Sequence, residues 1–303
     1  MLRRQLLLGA LVLLPLFGGC GNNSQTSENA SQVASSAAKS EIIMGLIPAE
    51  DNEEMLAKFE PMRAHLEEKI GMPVKVFQAT DYAGVIEAMK RDRVDIAWFG
   101  PLSYVLAEQE AEAEAFAVGV KEGGTSTYQS MIFVPGDSPA KSIADLKGAD
   151  VAFVDPASTS GSLVPSYMVK KSTGEMPDQF FGKVTYAGSH DAAQLAVKNK
   201  TVAAAGSNDI THEKMLEKGL IKDNDLRILE TSDPIPGSPL TYRGDLDPEI
   251  KTQIKEIILN AHNEIEVTGY GTLARYEEVT AQDYQVIRDI VQQLGLQKEQ
   301  ILK

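Results

Sequence analysis

From residue 41 onward, short apolar runs alternate with longer amphipathic stretches. "EIIMGLIP" (41–48) reads as a strand. "EEMLAKFEPMRAHLEEKIG" (53–71) has apolar residues near helical spacing and stops at Gly71, a residue suited to end a helix. "PVKVFQA" (73–79) alternates like a strand, "YAGVIEAMKRDR" (82–93) reads as a helix and "VDIAWFG" (94–100) as a buried strand. "PLSYVLAEQEAEA" (101–113) carries Pro101 in its first turn, a favoured place in a helix, and "AFAVGVK" (115–121) is a further strand. The alternation then starts again. "YQSMIFVPG" (128–136) is a strand, "SIADLKG" (142–148) a short helix and "ADVAFV" (149–154) a strand, followed by a hydroxyl-rich junction and the helix "SLVPSYMVKKS". Strand, helix and strand recur at 180–189, 190–200 and 202–209, "LRILETSD" (226–233) is another strand, and 248–265 and 283–295 are helical. This alternation predicts an α/β chain with mainly parallel sheets.

Two stretches share one plan. "TDYAGVIEAMKRDRVDIAWFG" (80–100) and "SHDAAQLAVKNKTVAAAGSND" (189–209) each run from a polar turn through a short helix and a basic turn to a small apolar strand. The repeat predicts two lobes of similar wiring with a ligand held between strand ends and helix N-termini. Residues 41–130 and 234–303 are assigned to lobe 1 and 131–233 to lobe 2, with the chain crossing near 126–131 and 230–236.

The first forty residues are of another kind. Arg3 and Arg4 precede the apolar "QLLLGALVLLPLF" (5–17), and "GGC" follows, the pattern of an export signal. Small residues before a cysteine resemble a bacterial lipobox, although Phe17 stands where Leu is usual. The expectation is a signal over 1–19, lipid attachment at Cys20, and an extracytoplasmic protein held at the membrane by that lipid. Cys20 is the only cysteine in the chain, so no intramolecular disulfide forms. "GNNSQTSENASQVASSAAKS" (21–40) is polar and lacks aromatic residues, so 20–40 reads as a flexible tether.

Composition narrows the chemistry. A length of 303 residues suits about two domains. A net charge of −14 argues against nucleic acid as a partner, because a phosphate backbone needs a basic face. Nothing in the pattern suggests an enzyme. No metal-ligand spacing is present, so neither a metal nor another cofactor is expected. There is no G-x-S-x-G elbow to support a hydrolase reading of "SHD" (189–191), and no P-loop. Of the four histidines, His65 and His262 are expected on solvated helix faces and His212 is expected to be solvated after a turn. His190 opens a helix behind "AGS" and is the one placed to reach a cleft.

The junction "DPASTSGSLVPSYMV" (155–169) is the strongest local signal. Four hydroxyl residues, Ser158, Thr159, Ser160 and Ser162, crowd the start of a helix, where one would suffice as a cap. With the free N–H groups of the helix start they can hold a compact oxyanion. Net acidity does not oppose this, since charges beyond about 10 Å are largely screened while a helix N-terminus acts at contact. Gly100 and Pro101 start another helix, in the first lobe, and Gly100 is a further candidate to face the ligand.

Together, "DYAGVIEAM" (81–89), "VDIAWFGPLS" (94–103), "DPASTSGSLVPSYM" (155–168), "AGSHDAA" (187–193) and "IPGSPL" (235–240) resemble the phosphonate, phosphite and phosphate-binding proteins of bacterial ABC importers. The resemblance spans about 160 residues, in family order. It implies a two-lobed, type-II periplasmic binding fold with a hinge between lobes. It further implies phenol donors from Tyr82 and Tyr128, phosphoryl contacts from Ser158, Thr159 and Ser160, and a further donor in His190. Trp98 is expected in the core. Members that hold an aminoalkyl phosphonate place acidic residues on its ammonium group. One of those positions is Ser238 here, and the other falls on Asn208, Asp209 or Ile210. The expected ligand is therefore a small phosphorus oxyanion such as phosphite, methylphosphonate or phosphate, with aminoalkylphosphonate disfavoured. The implied partners are an ABC permease and its ATPase, with the binding protein a monomer. A protein for sulfonate or sulfate, or a sensory lipoprotein presenting its ligand to a receptor kinase, are the alternatives.

Overall fold

The computed structural model describes residues 39–302. The predicted signal, Cys20 and the tether through residue 38 lie outside the described residues. The described body already includes Lys39, whose ammonium pairs with the buried carboxylate of Asp95.

The order of elements is β1 (Ile42–Leu46), α1 (Asn52–Ile70), β2 (Val74–Gln78), α2 (Tyr82–Lys90), β3 (Ile96–Trp98), α3 (Pro101–Ala111), β4 (Glu114–Lys121), β5 (Thr127–Tyr128) and β6 (Ser130–Pro135). Then follow β7 (Asp150–Phe153), a π-helical turn (Thr159–Leu163) that runs into α4 (Val164–Thr173), α5 (Pro177–Phe180), β8 (Lys183–Tyr186), α6 (His190–Lys198), β9 (Ala204–Asn208) and α7 (Asp209–Glu217). The chain ends through β10 (Leu226–Thr231), β11 (Ile235–Pro236), β12 (Pro239–Tyr242), α8 (Pro248–Asn260), β13 (Leu273–Glu278), α9 (Gln285–Leu294) and α10 (Lys298–Ile301).

Two sheets result, each the floor of one lobe. The first has the order β13-β4-β12-β3-β1-β2 and the second β10-β6-β9-β7-β8. Their cores match. β1 lies between β2 and β3, all parallel, with α2 joining β2 to β3. β7 lies between β8 and β9, all parallel, with α6 joining β8 to β9. The two stretches with a shared sequence plan, 80–100 and 189–209, are the helix and second strand of these βαβ units.

Parallel pairing stops at those cores. β12 runs antiparallel to β3 and β4, β13 to β4, and β6 to β9 and β10. The expectation of mainly parallel sheets is corrected here. Strands that carry the chain away from a crossing between sheets must enter against the strands that lead towards it. The crossings are β5 outward and β11 on return, and these pair antiparallel, Tyr128 with Ile235 and Thr127 with Pro236.

Local chemistry explains the helix ends nearest the cleft. Asp81 accepts from Gly84 N–H and fixes the start of α2. Gly100 precedes α3 without a capping side chain. Gly161 lets the π turn lie against β7: a Cβ there would collide with the Val154 side chain and Ser158 Oγ. Pro165, which has no N–H, falls just where the ladder changes from π to α.

Two histidines depart from expectation. His65 is buried, beside the stripe of Met55, Phe59, Met62 and Leu66 on α1. His212 belongs to α7, is half-buried, lies 2.9 Å from Gln194 Oε1 through Nδ1, and packs on Phe133 with ring centroids 4.7 Å apart. His262 is exposed.

A cleft where five helices begin

A small cavity lies between the sheets, and helix starts form its wall. Lobe 1 supplies Tyr82, the first residue of α2, and Gly100, the residue before α3. Lobe 2 supplies Ser158, capping the π turn of α4, His190, the first residue of α6, and Asn208, capping α7. Thr159, Ser160, Tyr128 and Ser238 complete the sequence-derived candidates on the wall, beside Ile47, Ala49, Trp98 and Tyr270. None of these residues is Lys, Arg, Asp or Glu. Each helix start carries roughly half a positive charge from aligned peptide dipoles. Five of them meet here.

Hydrogen bonds join the two sides. Thr159 Oγ1 accepts from Leu102 N–H at 2.8 Å, so a lobe 2 hydroxyl sits at the uncapped start of α3. Ala49 O accepts from His190 N–H at 2.9 Å. Asp155 Oδ2 accepts from Tyr82 N–H at 3.3 Å while its Oδ1 accepts from Ala157 N–H at 2.8 Å, and burial raises this carboxyl against those two bonds. The cleft is closed.

The electrostatics suit neutral donors. Burial pushes the Tyr82 phenol far up, with the Asp155 charge adding and a hydrogen bond with Ser158 opposing, so it keeps its proton. Burial likewise raises the Tyr128 phenol against hydrogen bonds with Ser160 and Thr159. Burial lowers His190 to about 4, with Glu50 pulling weakly the other way, so the ring is neutral at pH 7. Its Nδ1 lies 3.1 Å from Ser207 Oγ, which also accepts from Gln194 Nε2 at 3.0 Å. Asn208 Oδ1 accepts from Thr211 N–H at 2.8 Å. That bond requires the oxygen and leaves the amide N–H₂ for Tyr270 Oη at 2.9 Å and Ser160 Oγ at 3.4 Å.

Of the alternatives at 208–210, Asn208 faces the cavity. Asp209 does not: its Oδ1 accepts from Gln129 N–H at 3.1 Å and its Oδ2 lies 3.8 Å from Lys121 Nζ. Ile210 lines a neighbouring cavity that shares Trp98, Tyr128, Ser238 and Tyr270 with the first. Trp98, expected as core, is buried and also touches both cavities. Tyr270 escaped the sequence reading. It stands in an irregular segment, and its only local signal is an aromatic residue between Gly269 and Gly271. Among the described residues, no group of three or more His, Asp or Glu side chains is arranged to hold a metal ion.

Two lobes joined by two crossings, with a cavity between helix starts, are the architecture of a substrate-binding protein. Residues 44–284 match the family described as ABC transporter, phosphonate, periplasmic substrate-binding protein. The chain belongs to that family. It is 35% identical over 220 residues to the phosphonates-binding periplasmic protein of Escherichia coli, a match covering 71% of this chain and 64% of that one. It is 33% identical over 278 residues to the phosphate-import protein PhnD of Mycolicibacterium smegmatis, covering 85% of this chain and 87% of the other. Among solved structures, a binding-protein component of an ABC phosphonate transporter from Pseudomonas aeruginosa superposes with a TM-score of 0.77 at 29% identity, covering 86% and 87% of the two chains.

Proposed function

We propose that this protein captures a small phosphorus oxyanion, phosphite, methylphosphonate or phosphate, and delivers it to an ABC permease without transforming it. One observation carries the reading: five helix starts and a set of hydroxyls converge on a cavity lined by no charged side chain. Backbone N–H groups and hydroxyls at helix N-termini complement a compact anion. The relatives named for phosphonate and for phosphate support a phosphorus oxyanion as cargo. Residues 41–130 with 234–303 form one moving lobe and 131–233 the other, turning about β5 and β11, and the closed form docks on the permease.

The same wall disfavours an ammonium group. Ser238 offers a hydroxyl rather than a carboxylate, and the Asn208 oxygen, the one acceptor of that side chain, is held by Thr211 N–H. An aminoalkyl chain would meet donors and positive helix ends, with no carboxylate to pair with.

A thermal-shift screen of the purified protein tests this. The ligands are phosphite, methylphosphonate, phosphate, aminoethylphosphonate, sulfate and taurine. A ligand at about 1,000 times its Kd stabilises by roughly 4 kcal/mol, which is a rise on the order of 10 °C for a chain of this size. The expected result is a large shift with one of the first three. A shift confined to sulfate or taurine overturns the ligand class, and a leading shift with aminoethylphosphonate overturns the reading of Asn208 and Ser238.

A further inference from the structure

Just behind the cavity, five charged side chains from both lobes meet. Glu50 follows Ala49 of the cavity wall and is 2% exposed. Its Oε2 accepts from Lys58, on α1 of the same lobe, and from Lys214, on α7 of the opposite lobe. Its Oε1 accepts from Thr211 Oγ1, also on α7, at 3.3 Å. Lys214 further pairs with Glu54 of α1, and Lys218 pairs with Glu54 from nearer the surface. Thr211 Oγ1 lies 2.6 Å from Tyr270 Oη, which receives the Asn208 N–H₂ at the cavity, and the Lys58 ammonium sits 5.2 Å from the centroid of the Tyr270 ring.

We propose that Lys214 is a positioning residue that locks the closed cleft, engaging Glu50 and Glu54 across the lobes and, through Thr211 and Tyr270, fixing the Asn208 side chain at the cavity wall. The argument is one of desolvation. Burying a carboxylate is costly unless partners arrive with it. Glu50 keeps Lys58 whether the lobes are together or apart, because both belong to lobe 1. The partners that arrive only on closure are Lys214 and Thr211. In the closed state burial alone would raise the Glu50 carboxyl, but the Lys58 charge and the bonds from Lys214 and Lys58 outweigh it and hold the group below the ordinary carboxylate value. Closure is therefore favourable only once Lys214 is seated.

The cluster also bears on the ligand. Two carboxylates and three ammonium groups leave one net positive charge behind a wall that has no cation of its own. An anion in the cavity favours the assembled cluster, and by linkage the assembled cluster favours the anion. This part rests on the oxyanion reading; the lock itself does not.

The test compares wild type with Lys214→Met, Lys214→Arg and Glu54→Gln. Small-angle scattering without ligand reads the opening of the cleft, and stopped-flow release of methylphosphonate, phosphite or phosphate, whichever binds wild type best, reads the lock on the ligand. Lys214→Met is expected to enlarge the ligand-free radius of gyration and to speed release about tenfold, with little change in the association rate. Lys214→Arg is expected to restore most of both, and Glu54→Gln to give a smaller loss of the same kind. If Lys214→Met misfolds, Glu54→Gln alone still decides. Scattering and release rates unchanged from wild type in the folded variants overturn the proposal. Failure of wild type to bind any of the three anions overturns the functional reading instead, and the ligand-free scattering then decides the lock by itself.

Discussion

The two lobes share a scaffold and divide the chemistry. Each has a parallel core of three strands with one βαβ helix whose first residue meets the cavity, Tyr82 in lobe 1 and His190 in lobe 2. Lobe 1 presents the rings of Tyr82, Trp98 and Tyr270 together with bare backbone at Gly100. Lobe 2 presents the hydroxyls of Ser158, Thr159 and Ser160, the His190 ring and the Asn208 amide. On the proposed function the wiring would decide where a ligand sits, with the hydroxyl side of lobe 2 bonding it and the ring side of lobe 1 covering it. Covering matters energetically, because excluding water strengthens every hydrogen bond left inside.

Breaking the bonding side should cost most. Thr159→Val removes a hydroxyl from the cavity and leaves Leu102 N–H without its acceptor. Affinity for the preferred oxyanion, measured by calorimetry, is expected to fall about 100-fold, at the upper end of what a hydrogen bond to a charged group contributes. A fall below fivefold would show that the hydroxyl junction is not the bonding wall.

A second test uses acid. His190 is buried and neutral, with its pKa lowered from the usual 6.5 to about 4. Between those values the unfolded chain binds the proton and the folded one does not, so stability is lost as pH falls. The penalty is absent above about pH 6.5 and complete near pH 4. At pH 5 it amounts to roughly 2 kcal/mol, or a Tm drop on the order of 5 °C relative to pH 7. His190→Gln should flatten most of that drop, leaving the smaller share of His212, which burial also lowers. An unchanged slope in the variant would mean that the ring is not held neutral.

The covering side should be the more tolerant. Tyr82→Phe keeps the ring and loses only the phenol beside Ser158. Weakening of about tenfold is expected, the scale of one hydrogen bond to an anion. A loss matching that of Thr159→Val would erase the division between the lobes.

Much of this was legible in the chain because it is local. The hydroxyl junction, the Pro101 helix start and the two βαβ units are set by residues within about twenty positions of one another. What escaped depends on distant meetings. α7 was not foreseen because its apolar stripe is thin, with Thr211 and Met215 its buried residues. The burial of His65 could have been read from its place three residues after Met62 on the packed face of α1. That of His212 could not, since it depends on Phe133 and Gln194 from other elements. Between Asn208 and Asp209 the choice is made by strand end and helix start: the first residue caps α7 from the cavity wall, and the second turns out to Gln129 and Lys121. Tyr270 reaches the site only because the returning chain lays it against Trp98 and Thr211.

The position of Trp98 has an optical consequence. It is the single tryptophan in the chain. It packs between Phe59 of α1 and Tyr270 of the returning segment, with ring centroids 5.5 and 5.1 Å away, and it borders both cavities. If the cleft opens as proposed, water would reach one face of this indole and its emission would shift to longer wavelength. The proposed closure, and with it the filling and emptying of the site, could then be followed in real time without attaching a dye.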